Sequence, residues 1–337
     1  MTYYARLGPC ESQAPQLLAP PFRVIAHVPG VDAFVEFDEA ALPLMQESVA
    51  ALGLPYAFAW DETRQSYKIM ATAIEPWNKL KPGRNREVLR RLRRCAQWAA
   101  ADKRLCEGVT ETSAVHQGCV PFFPRYKRFA IVRPGEAHPF RYSLREARGK
   151  APLLVYLHSA AGFGQNGVGS VREAALLPLL VPRKCHILVP QDGLGRTFNT
   201  DGFTRNLWEA IDRTPHVDRT RIYIAGISYG GYGAVMACRR SPGDFAACVP
   251  AVAALANLNE PLGEADFDAL AQTPMWLGYS GAEQRLNEAL YEALQARGAD
   301  VKRTFIRHLG HNPAGPVFLL TRPWGKWLFN HTTGEKS

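Results

Sequence analysis

Residues 221–242, RIYIAGISYGGYGAVMACRRSP, form a short apolar run that breaks at Gly-Ile-Ser-Tyr-Gly and resumes with helical spacing. The pattern predicts a strand, a sharp turn and a helix, with Ser228 at the turn: the layout of a nucleophile elbow. Gly226 and Gly230 flank the serine where strand and helix approach too closely for a β-carbon, and Gly231 and Gly233 add room. A serine held there projects its hydroxyl. The backbone N–H of the next residue, Tyr229, faces the point where negative charge develops on an attacked carbonyl. A bare Gly-x-Ser-x-Gly arises by chance in on the order of one chain in ten of this length, so the flanks carry the argument. Ile222, Tyr223 and Ile224 precede the turn as a strand would, and Ala234, Val235 and Met236 follow as a helix. Arg239 and Arg240 suit the carbonyl end of that helix, and Ser241-Pro242-Gly243 stops it.

A serine hydroxyl needs a base to become a nucleophile. With this elbow the expected order is serine, acid, histidine. His308 and His311 follow Val301–Ile306, which reads as a last strand. His311, after Gly310 in an expected loop, fits the base better, and His308 suits a polar strand end. For the acid, Glu283 is the one carboxylate in the loop Ser280–Gln284, between the strand-like Pro274–Tyr279 and a helical stretch Leu286–Arg297. Glu283 could orient the histidine, or it could be an acid favoured by the helix dipole. Glu260, Asp266 and Asp268 are the reserve candidates. A second oxyanion donor is expected in the loop His158–Gly164 after the strand Pro152–Leu157, with the N–H of Ala160 preferred and that of Ser159 as the alternative.

These pieces resemble the α/β-hydrolase superfamily, and within it the esterase and predicted-peptidase group that includes feruloyl-esterase-like and polyhydroxybutyrate-depolymerase-like proteins. The likeness spans roughly residues 125–330. It is carried by LLVYLHSAAG, VDRTRIYIAGISYGGYGA, PMWLGYSG leading into ALYEALQARGADVKRTF, and LGH. The resemblance implies a three-layer α/β fold with a mainly parallel central sheet. It also implies hydrolysis of carboxylic esters, less often of peptides, through an acyl-enzyme and without metal. Two departures from the family pattern stand out. Ser159 replaces the glycine of a usual His-Gly, and Gln284 occupies the place of the usual acid, with Glu283 one residue early.

At 337 residues, 47% hydrophobic and 21% charged, the chain has the composition of a globular protein with a large core. The hydrolase unit is expected over 119–334, with residues 1–118 as a small mixed N-terminal extension. Within the extension, Val31–Ala73 suggests a small mixed unit with a helix at Leu42–Leu52 and a hairpin of Ala57–Trp60 with Ser66–Met70. An arginine-rich amphipathic helix is expected from about 86 to 106. That helix contributes to the net charge of +9. It reads as a solvated face, since no nucleic-acid module or stacking pattern accompanies it, and nucleic acid is not an expected partner. The expected partner is a small-molecule or polymer-derived ester substrate.

No membrane span is expected, and with no signal-peptide layout at the N-terminus the expected location is cytoplasmic. The seven cysteines are scattered without C-x-x-C spacing and read as free buried thiols. Gly162-x-Gly164-x-x-Gly167 matches a dinucleotide fingerprint only formally, because no acid ends a strand about 20 residues on. With no zinc-ligand spacing and no P-loop, neither metal nor other cofactor is expected. Other reactions compatible with the same site are peptide and thioester hydrolysis and acyl transfer. An alternative of another class is a non-catalytic scaffold that binds through its basic surface.

Overall fold

The computed structural model describes residues 2–7, 15–28, 32–41, 43–45, 47, 57–61, 66–69, 109–120, 123–136, 139–159, 171, 173–174, 177–191, 198–257, 262–307 and 309–334. They form two sheets. The smaller contains β1 (Thr2–Leu7), β2 (Arg23–Val28), β3 (Asp32–Asp38), β4 (Ala57–Asp61) and β5 (Ser66–Ile69), in the order β2-β3-β1-β4-β5 with every pairing antiparallel. The pair β4–β5 is the hairpin expected from the sequence. Of the expected helix 42–52, residues 43–45 and 47 are described, and they are helical. The arginine-rich segment 86–106 lies outside the described residues.

The larger sheet is built from β6 (Ser113–Val120), β7 (Phe123–Val132), β8 (Phe140–Arg145), β9 (Ala151–Leu157), β10 (His186–Gln191), β11 (Val217–Ile227), β12 (Ala247–Ala251), β13 (Met275–Tyr279) and β14 (Val301–Phe305). Its order is β14-β13-β12-β11-β9-β10-β8-β7-β6. Strands β9 to β14 pair in parallel, and β8, β7 and β6 continue the sheet antiparallel. The division anticipated between residues 118 and 119 falls inside β6, which pairs with β7 as an edge strand of this sheet.

Strand chemistry follows position. Every residue of the central β9 is buried, as a parallel strand covered on both faces requires. Edge strand β14 places Lys302 and Arg303 in solvent, which guards an unpaired edge. In β11 alternate residues enter opposite cores. Ile222 and Ile224 join the apolar cluster of α1 (Asp201–Asp212), α2 (Tyr229–Arg240), α3 (Glu264–Leu270) and α4 (Gln284–Ala296). Tyr223 and Ala225 join that of α5 (His311–Thr321) and α6 (Trp324–Leu328). Helices on both faces of one mostly parallel sheet make a three-layer α/β fold. Thr200 caps α1 by accepting the Phe203 N–H at 3.1 Å. Strand β2 of the small sheet lies against α5.

Among the described cysteines, Cys185, Cys238 and Cys248 are free and buried, as expected, whereas Cys119 is free but exposed because it sits on the edge strand β6. No helix among the described residues is long and apolar enough to cross a membrane, and none of their His, Cys, Asp and Glu side chains form a cluster that could hold a metal ion.

Candidate active site

Parallel strands leave their carboxyl ends open at one edge, where loops can assemble a site. Strand β11 ends at Ile227 and α2 begins at Tyr229, so Ser228 alone makes the turn, with φ 58° and ψ −115°. Backbone bonds fix it: its N–H donates to Ala251 O at 2.8 Å, and its carbonyl accepts from Tyr232 N at 3.0 Å and Ala254 N at 3.2 Å. The flanking glycines are required sterically. A β-carbon on Gly226 would lie 2.2 Å from Gly230 O, and one on Gly230 would lie 1.9 Å from Leu157 O. The end of β9 therefore abuts the first turn of α2 directly.

Two side chains from later in the chain meet the serine. His311 Nε2 is 2.6 Å from Ser228 Oγ. His311 Nδ1 is 2.5 Å from Glu283 Oε1. With the serine hydroxyl donating to Nε2, Nδ1–H donates to the carboxylate, which selects one tautomer. His311 is not in a loop. It is the first residue of α5, because Gly310, extended at φ −76° and ψ 176°, acts as the N-cap. The helix start gives the ring a rigid base.

Glu283 occupies the N-cap position of α4, yet its side chain does not cap that helix. The carboxylate turns back instead, and Oε2 accepts the Ser280 hydroxyl at 2.7 Å and the Ser280 N–H at 3.1 Å. Ser280 is fully buried and the Glu283 side chain is 8% exposed. Burial alone would raise the Glu283 carboxyl, but hydrogen bonds from His311 and Ser280 outweigh it and hold the group below the usual carboxylate range. The reserve acids within the described residues serve elsewhere. Asp266 binds the Gly263 N–H and pairs with Arg239, and Asp268 pairs with Arg297. Glu260 and His308 lie outside the described residues.

Tyr229 opens α2, where backbone N–H groups of the first turn point out of the helix end. Its buried ring stacks on Phe198 with centroids 5.1 Å apart. Ala160, like the segment Gly162–Gly167, lies outside the described residues. Ser159 is described, and its N–H donates to Glu173 Oε2 at 2.7 Å. Sequence reasoning passed over Ser280 and Glu173. Ser280 carries a weak local signal, a hydroxyl three residues before the acid. Glu173 lies 14 residues from its partner and carries none.

The sequence pattern of the prolyl oligopeptidase family matches residues 203–308, a span that includes Ser228 and Glu283. No curated protein matches the chain in sequence. Among solved structures, a thermostable esterase shares 20% identity over 62% of this chain and 63% of its own, with a TM-score of 0.53. The acylaminoacyl peptidase of Pyrococcus horikoshii shares 15% identity over 84% of this chain and 47% of its own, with a TM-score of 0.46. The chain thus spans less than two thirds of the length of either. A ferulic acid esterase shares 15% identity over 65% of this chain and all of its own, with a TM-score of 0.44. The pattern match and the three-layer fold it shares with the thermostable esterase place this chain in the α/β-hydrolase superfamily.

Proposed function

We propose that the protein is a serine hydrolase that cleaves a carboxylic ester through an acyl-enzyme. The observation that carries this reading is the continuous chain of contacts from Ser228 Oγ to His311, at 2.6 Å, and from His311 to Glu283, at 2.5 Å. Ser228 Oγ attacks the ester carbonyl carbon while His311 Nε2 takes its proton. The carbonyl oxygen becomes an oxyanion, held by the N–H groups of Tyr229 and Ala160. As the tetrahedral intermediate collapses, the C–O bond to the leaving alcohol breaks and His311 returns its proton to that oxygen. Water then attacks the acyl-serine by the same route, freeing the carboxylic acid and restoring Ser228. Glu283 holds the tautomer of His311 and offsets the charge of the imidazolium.

A second reading, peptide hydrolysis at the same site, is favoured by the prolyl oligopeptidase match. Treatment with a fluorophosphonate, followed by intact mass and peptide mapping, tests the shared chemistry, because the reagent modifies only an activated serine. One adduct on Ser228 is expected. A folded protein that takes up none overturns both readings. Acyl esters and N-blocked aminoacyl amides, compared by kcat/KM, then separate the two: turnover of esters with none of the amides is the expected result, and amide turnover favours the peptidase reading.

Glu283→Gln is expected to lower kcat by roughly 10²- to 10⁴-fold, since the amide can favour the wrong tautomer of His311. The sign with pH follows from the lowered carboxyl of Glu283. Its ionised form persists throughout the neutral range and is lost only as pH falls through a value below the ordinary 4.5. The contribution of Glu283 to kcat should therefore be fully present across the neutral range, where its carboxylate stays ionised. A kcat profile against pH on both proteins checks this.

A further inference from the structure

The residue after His158 at the end of β9 is gripped at each of its polar groups. The Ser159 N–H donates to Glu173 Oε2 at 2.7 Å, its hydroxyl donates to Glu173 Oε1 at 2.5 Å, and its carbonyl accepts from His158 Nδ1 at 2.8 Å. His158 is fully buried, with its ring edge-on to Phe198 at 5.2 Å between centroids. Phe198 in turn stacks on Tyr229, the neighbour of Ser228. A β-carbon on Gly230 would also lie 2.6 Å from His158 O, so this stretch of backbone rests against the elbow itself.

We propose that Glu173 is a positioning residue of this site: by holding both donors of Ser159, it fixes the start of the loop that follows β9 as one side of the oxyanion pocket. The proposal rests on Ser228 being the nucleophile. A carboxylate accepts two donors at once, one on each oxygen, and such charge-assisted bonds are short and strong. They commit the Ser159 amide to Glu173 and leave the oxyanion to the amide that follows. The carbonyl of Ser159 is tied to His158. One ring and one carboxylate thereby hold Ser159 by its carbonyl, its N–H and its hydroxyl. Both carboxylate oxygens of Glu173 face Ser159. The serine in place of the family's glycine acquires a purpose, because its hydroxyl is the second handle for Glu173.

The test uses the full chain, an activated acyl ester and a fluorophosphonate. Glu173→Ala is expected to lower kcat by about 10- to 100-fold with KM within about twofold, because a displaced oxyanion donor weakens the transition state and not substrate binding. Fluorophosphonate labelling of Ser228 should slow by a similar factor. Glu173→Gln should recover most of the loss, since its amide oxygen still accepts from the Ser159 N–H and its NH₂ can donate to the hydroxyl. Ser159→Ala, which keeps the N–H bond, should fall between the two. A Glu173→Ala enzyme within twofold of wild type in kcat, a loss confined to KM, or a Glu173→Gln enzyme as slow as Glu173→Ala would each overturn the proposal. If Glu173→Ala does not fold, Ser159→Ala decides, and an unchanged kcat overturns it. A wild-type protein with neither adduct nor turnover would instead defeat the reading of Ser228, before any variant is compared.

Discussion

Ser228→Ala is expected to lower ester turnover by about 10⁴-fold or more and to abolish fluorophosphonate labelling, while the melting temperature stays within a few degrees of wild type. The size of the effect follows from the site's economy of parts. Removing Oγ deletes the attacking atom and leaves His311 with no proton to take, so the remaining groups cannot act in sequence. Any residual rate comes from binding and the oxyanion pocket alone. The fold should tolerate the change because what holds residue 228 is its backbone, through Ala251 O, Tyr232 N and Ala254 N, and alanine keeps all three bonds. Steady-state kinetics with an activated ester, beside a thermal melt, would check both halves. Retained turnover with an intact melt would remove Ser228 from the mechanism.

Gly230→Ala should have the largest effect on stability. Its new methyl would lie 1.9 Å from Leu157 O and 2.4 Å from Leu157 C, so the obstacle is backbone at the heart of the sheet, and no side chain can rotate away. Either β9 and α2 separate or the elbow distorts. Overpacking in a rigid interior costs about 1–3 kcal/mol where side chains can adjust, and here about 3 kcal/mol or more is expected. Gly202→Ala is the matched control. Gly202 lies in the first turn of α1 with its nearest neighbours at 4.0 Å, and alanine is the better helix former by about 1 kcal/mol. That variant should melt at or slightly above the wild-type temperature. Urea unfolding of the three proteins would measure the difference.

The elbow could be read from sequence because strand, turn and helix are contiguous, and each glycine answers a steric demand within a few residues or from one neighbouring strand. The three-layer order was readable for a related reason. Apolar runs such as Pro152–Leu157 have few places to go except a buried parallel strand. The acid was harder. Glu283 sits at a helix N-cap, where a carboxylate is ordinary, and the feature that sets it apart is its side chain turning back onto Ser280 and His311, 28 residues ahead. His311 seemed a loop residue because it follows Gly310 beyond the last strand, yet a glycine N-cap is also how a helix can begin. Glu173 was invisible, since its contact with Ser159, 14 residues away, has no helical or strand spacing to announce it.

Among the described residues only His216, Ser228 and Val252 carry positive φ without being glycine. Two of these stand side by side, because Ile227 pairs with Ala251 and the next residue on each strand is the strained one. A left-handed backbone at an ordinary residue costs of order 1–3 kcal/mol, and this molecule concentrates that cost at the edge where Ser228 meets His311. Glycine at 228 would relieve it while keeping the same backbone bonds, less a fraction of a kcal/mol for its looser unfolded chain. Ser228→Gly should therefore resist heat better than the wild type, by about 1 kcal/mol in unfolding free energy. Durability and reactivity pull against each other at a single residue, and the inert protein should be the longer-lived one.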